Sequence, residues 1–407
     1  MKRKLIALQV ERNRAHGRSM LEGIASAAAQ RSGWRMELVG PNDIREGADL
    51  SRFDGFIVRV VDERMARALL ATGKPVVDTY GRIDRNPIPF IRLDDARIAK
   101  TAADYLLSHR FSDYGYCGFC GLRFSDARGK AFASEITRPG KTCSVYRDDH
   151  RGRLGDSFIL NERADRLPDA LGLRRWLKSL PKPVAVFCCN DLRAYQLLVT
   201  CQKCGLDVPH EVAILGVDND ALFCTLTGPP LSSVDTDAYR LGLSAAEMLD
   251  RMMTAAHRRT PRIPSVLHPP RGIVERASTE AYPVKKTWLS DALVFIDRHL
   301  DEGVSADDVA AAVGLSHTAV NRAFHAEFGR SVQKEIIRQR LERATRMLRE
   351  TNRSAASIAA ACGYKSAQYF AHVFAVSYNQ TPNDWRKANG SYFPRGQSAQ
   401  GQPFGGT

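Results

Sequence analysis

From Leu5 to about Val274, short apolar runs alternate with longer stretches whose apolar residues recur every three or four positions. The runs LIALQV, RMELVG, GFIVRV, PVVDTY, YGYCGF, VAVFCC, VAILGV and LSSV have the length and composition of buried strands. Between them, residues 18–32, 62–72, 95–109, 168–180, 191–204 and 236–256 read as amphipathic helices. Strand, helix and strand at this spacing predict parallel sheets with helices on their faces. Roughly 270 residues of it exceed what one sheet usually needs, so two similar lobes with a cleft between them are expected. Near Arg276 the alternation stops. The polar stretch RASTEAYPVKKTW marks a linker over 277–288, and 289–388 is helical in pattern throughout. The ending, NGSYFPRGQSAQGQPFGGT, is too rich in Gly, Gln and Pro to bury a core, so 389–407 reads as a disordered tail. Residues 138–165 follow no recognisable pattern.

The helical part repeats itself. Ser305 corresponds to Ser354, Val309 to Ile358, Ala310–Ala312 to Ala359–Ala361, and Gly314 to Gly363, at an offset of 49. Lys365 then shifts the offset to 50, which pairs Ser316 with Ser366, Val320 with Phe370, Phe324 with Phe374, and Gly329 with Asn379. Such a period marks a duplicated supersecondary unit. In each copy a serine can cap a short alanine-rich helix, a glycine can end it in a sharp turn, and a second serine can cap the next helix. The apolar residues of that next helix fall at i, i+4 and face inward. The unit is a helix-turn-helix, whose second helix can enter a DNA major groove.

The outward positions of those second helices are His317, Thr318, Asn321 and Arg322 in the first copy. In the second they are Ala367, Gln368, Ala371 and His372. Asn and Gln can pair with adenine in two places at once, and Arg with guanine. On the joining helix, Arg338, Arg340, Arg343, Arg346, Arg349 and Arg353 outnumber Glu342 and Glu350, a surplus suited to phosphates.

The formal net charge of +14 favours a polyanionic partner such as double-stranded DNA. The start of the chain lacks a signal-peptide pattern, and no run of apolar residues is long enough to span a bilayer. A cytoplasmic protein with no membrane association is expected. The nine cysteines fit a reducing compartment, and the pairs Cys117/Cys120 and Cys201/Cys204 read as small buried hydrophobes; no metal and no cofactor are expected. Phosphate loops, nucleophile elbows and HExxH helices are missing from the sequence, so it reads as no enzyme and carries no catalytic residues.

Residues just past strand ends in the front part offer a binding site, because open α/β sheets bind ligands there. They include Arg14, His16 and Arg18; Asp78 and Tyr80; Asp94 and Asp95; Arg128; Asn190 and Asp191; and Asp218 and Asn219. Carboxylates, amides and guanidiniums converging on a cleft can chelate the vicinal hydroxyls of a sugar. An aspartate at such a place also serves as a helix N-cap, and Asp191 and Asp218 can do both jobs.

The stretch RQRLERATRMLRETNRSAASIAAACGYKSAQYFAHVFAVSYNQTPNDWR resembles the DNA-binding domain of the AraC family of bacterial transcription regulators, over about 290–388. Asn379 stands where that family usually has Gly, and Met347 where Leu is common. The resemblance implies that the two second helices enter successive major grooves, and it points to Thr318, Asn321, Arg322, Gln368 and His372. CCNDLRAYQLL, VPHEVAILGVDND and LSSVDTDAYRLGLSAAEML, closed by PPRGIVERAST, are similar to the sugar-sensing domain of LacI/GalR-type regulators, which shares the fold of periplasmic binding proteins. This similarity implies sugar contacts from Arg128, Asn190, Asp191 and Asp218. Those repressors carry a DNA-binding head in front, whereas here the sensor begins at residue 4.

The expected architecture is thus a two-lobed, periplasmic-binding-protein-like α/β domain over 1–276 followed by an all-α domain with two helix-turn-helix units. The sensor-first order resembles that of sugar-operon activators and implies a xylose-like effector. The expected sugar contacts are His16, Arg18, Asp94, Asp95, Arg128, Asn190, Asp191 and Asp218. The expected DNA contacts are His317, Thr318, Asn321, Arg322, Ala367, Gln368 and His372. A homodimer that meets RNA polymerase is the implied working form. The alternative is a sugar-binding adaptor whose helical repeat docks a protein.

Overall fold

The computed structural model describes residues 3–30, 33–46, 49–83, 87–109, 111–146, 170–226, 228–255, 264–280 and 287–389. The chain divides into two units, Met1–Pro283 and Val284–Thr407.

In the front unit, the first lobe is built on β1 (Lys4–Gln9), β2 (Trp34–Leu38), β3 (Gly55–Val58) and β4 (Val76–Asp78), in the order β2-β1-β3-β4 and all parallel. A parallel bridge from Asp78 to Phe90 leads on to β5 (Ile91–Leu93), which pairs with β11 (Val266–His268). Helices α1 (Ala15–Ala29), α2 (Pro41–Arg45) and α3 (Glu63–Ala71) come from this part of the chain. A much later helix, numbered α9 here (Ala238–Ala255), also belongs to this lobe. Its Leu241, Ala245, Met248, Leu249 and Met253 are buried with Ile6, Leu8, Ile24 and Ile57. The backbones of α1 and α9 touch: a Cβ on Gly23 would lie 2.0 Å from the Tyr239 carbonyl, and one on Gly242 would lie 2.0 Å from that of Met20.

The second lobe has six strands in the order β12-β10-β9-β8-β6-β7. They are β6 (Asp113–Cys117), β7 (Thr142–Tyr146), β8 (Val184–Cys188), β9 (Val212–Val217), β10 (Ser232–Asp235) and β12 (Gly272–Val274), of which β12 alone runs antiparallel. Its helices are α4 (Asp95–Ser108), α5 (Arg123–Thr137), α6 (Ala170–Ser179), α7 (Asp191–Cys204) and α8 (Ala221–Thr225). The fully apolar runs of β8 and β9 are buried along their whole length, as central strands covered on both faces must be.

Several elements depart from the sequence reading. Helix α5 was not expected, because its buried face of Ser125, Arg128, Gly129, Phe132 and Ile136 holds only two large apolar side chains and makes no stripe. Strand β7 falls in the stretch that showed no pattern; it is an edge strand with one buried residue, so nothing forces alternation on it. Strands β11 and β12 have three residues each, too few for a period. Residues 277–279, assigned to the linker from sequence, form a 3-10 turn that packs with the sensor: Ser278 Oγ donates to the Ile214 carbonyl at 2.6 Å. Most of the remaining linker (281–286), most of 138–165 (147–165) and 390–407 of the tail lie outside the described residues.

The rear unit is wholly helical among the described residues: α10 (Thr287–Arg298), α11 (Ala306–Ala312), α12 (His317–Phe328), α13 (Val332–Glu350), α14 (Ala355–Ala361), α15 (Ala367–Tyr378) and α16 (Pro382–Asn389). The serines expected as caps are caps. Ser305, Ser316, Ser354 and Ser366 accept from the backbone N–H groups of Asp308, Ala319, Ser357 and Tyr369 at 3.1–3.3 Å. Val320, Phe324, Phe370 and Phe374 are fully buried, so each second helix is pinned by two residues one turn apart. Asn379 ends α15 in the left-handed conformation (φ 54°), as Gly329 ends α12 (φ 66°). Asn is among the few residues besides Gly that visit this region routinely.

Candidate functional site

The cleft of the front unit encloses about 650 Å³, its mouth included. From the first lobe it is lined by Glu11, Arg14 and His16 after β1, Arg59 after β3, Thr79 and Tyr80 after β4, and Arg92 and Leu93 on β5. From the second come Asp95, Arg123, Phe124, Arg128, Asn190 and Asp218.

Asp95 is the hub on the second-lobe side. It opens α4 and is buried, and it accepts from Arg128 Nε and from an Arg123 terminal nitrogen, both at 2.9 Å. Arg128 is itself buried and donates to the Cys189 carbonyl at 2.6 Å, which ties α5 to the end of β8. Asn190 caps α7, its side-chain oxygen accepting from the Arg193 N–H at 2.9 Å. On the first-lobe side, Glu11 lies 3.0 Å from Arg14 and 3.6 Å from Arg59. The lobes also touch directly: Asp220 accepts from the Ala15 N–H at 3.1 Å, and His16 Nδ1 lies 3.4 Å from the Thr236 hydroxyl and 3.9 Å from Asp218.

Burial sets the protonation of this contact. His16 is held down to about 4 chiefly by desolvation, so it is neutral at pH 7. Asp218 is pushed up to about 6 by desolvation, against the pull of Arg128 and Arg14. The two act on stability in opposite senses. For Asp218, the native state keeps a proton between about 4 and 6 that the unfolded chain has lost, so its contribution declines as pH rises through that window. For His16, the unfolded chain takes up a proton below 6.5 that the native state refuses until about 4, so its contribution declines as pH falls. Each amounts to about 2–3 kcal/mol, and they offset one another. In Asp218→Asn only the His16 effect remains. The urea midpoint of the front unit is expected to fall more steeply from pH 7 to 4.5 in that variant than in the parent; parallel pH profiles would contradict this.

Of the expected sugar contacts, the structure brings His16, Asp95, Arg128, Asn190 and Asp218 together at the cleft. Arg18 is exposed and donates to the Arg12 carbonyl at 3.3 Å. Asp94 caps α4, accepting from the Arg97 N–H at 3.0 Å. Asp191 is buried behind the cleft, where it accepts from the Ser233 hydroxyl at 2.6 Å and the Asp220 N–H at 2.7 Å. Its carboxyl is pushed well above the usual range by burial and then by Asp218. Asp78, from the same strand-end reading, clamps a turn by accepting from the Val60, Tyr80 and Gly81 N–H groups at 2.8–3.1 Å. The sequence reading missed Glu11 and Arg59, although each stands just past a strand. It also missed Arg92, which lies within β5, and Arg123 and Phe124, which open the helix that left no pattern.

In the rear unit, His317, Thr318, Arg322, Ala367, Gln368 and His372 are exposed on α12 and α15. Asn321 is half-buried and engaged: its oxygen accepts from the Val332 N–H at 3.0 Å and its nitrogen donates to His317 Nε2 at 2.9 Å. It joins α12 to the start of α13. The arginine surplus on α13 also needs correction. Glu335, buried one turn upstream, pairs with Arg330 and Arg338, and Arg338 reaches Glu342 as well. Arg340 is buried with its guanidinium 5.6 Å from the Tyr364 ring, and Arg343 lies 3.9 Å from Asp301. Arg346, Arg349 and Arg353 remain exposed.

Two family models match the chain: a periplasmic binding protein-like domain over residues 103–279 and a helix-turn-helix domain over 309–388. The xylose operon regulatory protein of Escherichia coli (strain K12) is 28% identical over 399 residues, covering 95% of this chain and 98% of that protein. Regulatory protein SoxS of the same organism is 34% identical over 98 residues, 92% of its length and 24% of this chain. A solved structure of a xylose-binding transcription activator superposes with a TM-score of 0.59 at 26% identity, covering 96% of this chain and all of that one. Front and rear units thus match in the same order in which their sites were built, and the chain belongs to the AraC-type DNA-binding transcription regulators, with a sugar-sensing domain of the periplasmic-binding-protein-like fold ahead of its paired helix-turn-helix units.

Proposed function

We propose that a small sugar binds in the cleft of the front unit and that its binding changes how the paired helix-turn-helix units engage an operator. The observation that carries this reading is convergence: hydrogen-bonding side chains from both lobes face one cleft. Asp95, Arg128, Asn190 and Asp218 would hold hydroxyls, His16 would join them from the other lobe, and Tyr80 and Phe124 would cover the apolar face of the ring. A ligand that touches both lobes favours the closed arrangement, and only such a difference between states can shift an equilibrium. The relatives are named for xylose, which makes D-xylose the first sugar to test.

On this reading the working form is a cytoplasmic homodimer with four reading heads that activates a sugar-catabolic operon by meeting RNA polymerase, and it turns over no substrate. The adaptor alternative has no support, since the helical repeat itself matches a helix-turn-helix model. Gel shifts on promoters of the organism's sugar operons, with and without sugar, test the proposal; binding indifferent to every sugar would refute the sensor half. Thr318, Arg322, Gln368 and His372 are the proposed base readers, with His317 and Ala367 at the helix starts, while Asn321 acts by positioning α12. Arg322→Ala and Gln368→Ala are each expected to remove about 1–3 kcal/mol of discrimination at one operator position. A uniform weakening across all sequences would instead mark these residues as phosphate contacts.

A further inference from the structure

The second helices of the two helix-turn-helix units differ at a place where their packing asks for no difference. At the offset of 50, Tyr369 and Val376 of α15 correspond to Ala319 and Ala326 of α12. Both α15 side chains stand in solvent, Tyr369 at 56% and Val376 at 69% exposure. Among the described residues of the rear unit, the other large apolar side chain left exposed is Leu315. The added bulk does not pin the helix: Phe370 and Phe374 do that from the buried side, as Val320 and Phe324 do for α12. Tyr369 and Val376 lie two turns apart, and with the exposed His372 between them they form one stripe beside Gln368. The stripe is about 10 Å long, or about three base steps of a duplex. The centre of the Tyr369 ring lies 6.2 Å from that of Tyr364, a contact that steadies it.

An apolar stripe on a reading helix has a specific counterpart in the major groove. The other groups by which base pairs are told apart there are hydrogen-bond donors and acceptors, whereas the 5-methyl of thymine is apolar. That methyl projects close to the groove wall formed by its own strand, so side chains flanking the polar readers come upon it. Covering it takes apolar surface of both partners out of water. Resting on the assignment of α15 as a reading helix, we infer that Tyr369 and Val376 are specificity residues for thymine, reading the 5-methyl groups of neighbouring thymines on one strand of the second half-site. Gln368 and His372 read polar base edges alongside them. The first head, with alanines at both places and Arg322 on its exposed face, relies on hydrogen bonds instead. The two copies thus make different demands on their grooves.

The test begins with selection of a binding site by the full-length protein from a pool of random duplexes, with and without D-xylose. Each thymidine of the selected duplex is then replaced in turn by deoxyuridine, which keeps every hydrogen-bonding group and lacks only the methyl. At two or more neighbouring positions the replacement is expected to weaken binding about threefold to fivefold. Tyr369→Ala and Val376→Ala, which reproduce the first copy and are checked for intact fold by thermal unfolding, are each expected to bind the thymidine and deoxyuridine duplexes equally at one of those positions. Tyr369→Phe is expected to keep the preference, because the ring and not the hydroxyl meets the methyl. If no replacement weakens binding, or if the alanine variants weaken both duplexes alike, the thymine inference is overturned while sequence-specific binding stands. If no sequence is enriched under either condition, the assignment of α15 as a reading helix falls with it.

Discussion

Gly363→Ala is expected to unfold the rear unit under mild conditions, while Gly314→Ala, the equivalent change in the first copy, leaves it folded. Both glycines end a short helix with a left-handed residue, at φ 73° and 66°. An alanine there costs about 1–2 kcal/mol in either copy, because its Cβ crowds the following carbonyl. The surroundings then separate the two positions. At Gly314 a Cβ would meet nothing within 4 Å, whereas at Gly363 it would lie 1.7 Å from the carbonyl oxygen of Leu300. That oxygen is backbone, just past the end of α10, and cannot swing aside as a side-chain tip would. Forcing it away adds about 1–3 kcal/mol. The total, about 2–5 kcal/mol, is a large part of what a domain of this size has in hand. Urea unfolding of the full-length protein, together with operator binding at 37 °C, measures it. Equal midpoints for the two variants would show that α14 does not lie against α10 as described.

Asp95→Ala is the second large expectation, this time in the sensor. Asp95 neutralises Arg128, which is 3% exposed and whose other hydrogen-bond acceptor is the Cys189 carbonyl. Removing one member of a buried ion pair strands the other charge, at about 3–5 kcal/mol. The front unit should therefore lose that amount in urea unfolding, and with it the response to sugar. Asp95→Ala combined with Arg128→Leu should lose less than the single change, because the stranded charge is gone. A double variant less stable than Asp95→Ala would mean that Arg128 is held by its packing against Phe124 rather than by its charge partner.

The two variants also show why one half of the molecule was more readable than the other. In the rear unit every functional requirement is local: caps, turns and inward residues recur within a few positions, so the sequence displays them twice and Asn379 could be recognised as a glycine substitute. The outward faces of α12 and α15 follow from the same periodicity, which is why His317, Thr318, Arg322, Gln368 and His372 emerge exposed as expected. What periodicity does not report is which exposed-looking residue another element will claim. Asn321 is taken by the start of α13, Arg338 by Glu335 and Arg340 by Tyr364, and each of these partners comes from packing.

In the sensor, the sequence by itself determined the strand and helix alternation, the two-lobed class and the end of the sheets at which the cleft opens. Buried parallel strands must be apolar along their whole length, and loops at their carboxyl ends are free to be polar. The membership of the cleft was decided by tertiary structure alone. Asp94 and Asp95 are neighbours in sequence, yet one caps a helix and the other holds two arginines, because a single step along α4 turns the side chain from solvent to cleft. Asp191 and Asp218 follow equally apolar strands, yet Ser233 and the Asp220 amide bind the first behind the wall while the second faces the opening. Arg59 and Arg123 lie 64 positions apart, on opposite lobes, and only the closing of two sheets around one cleft makes them one feature.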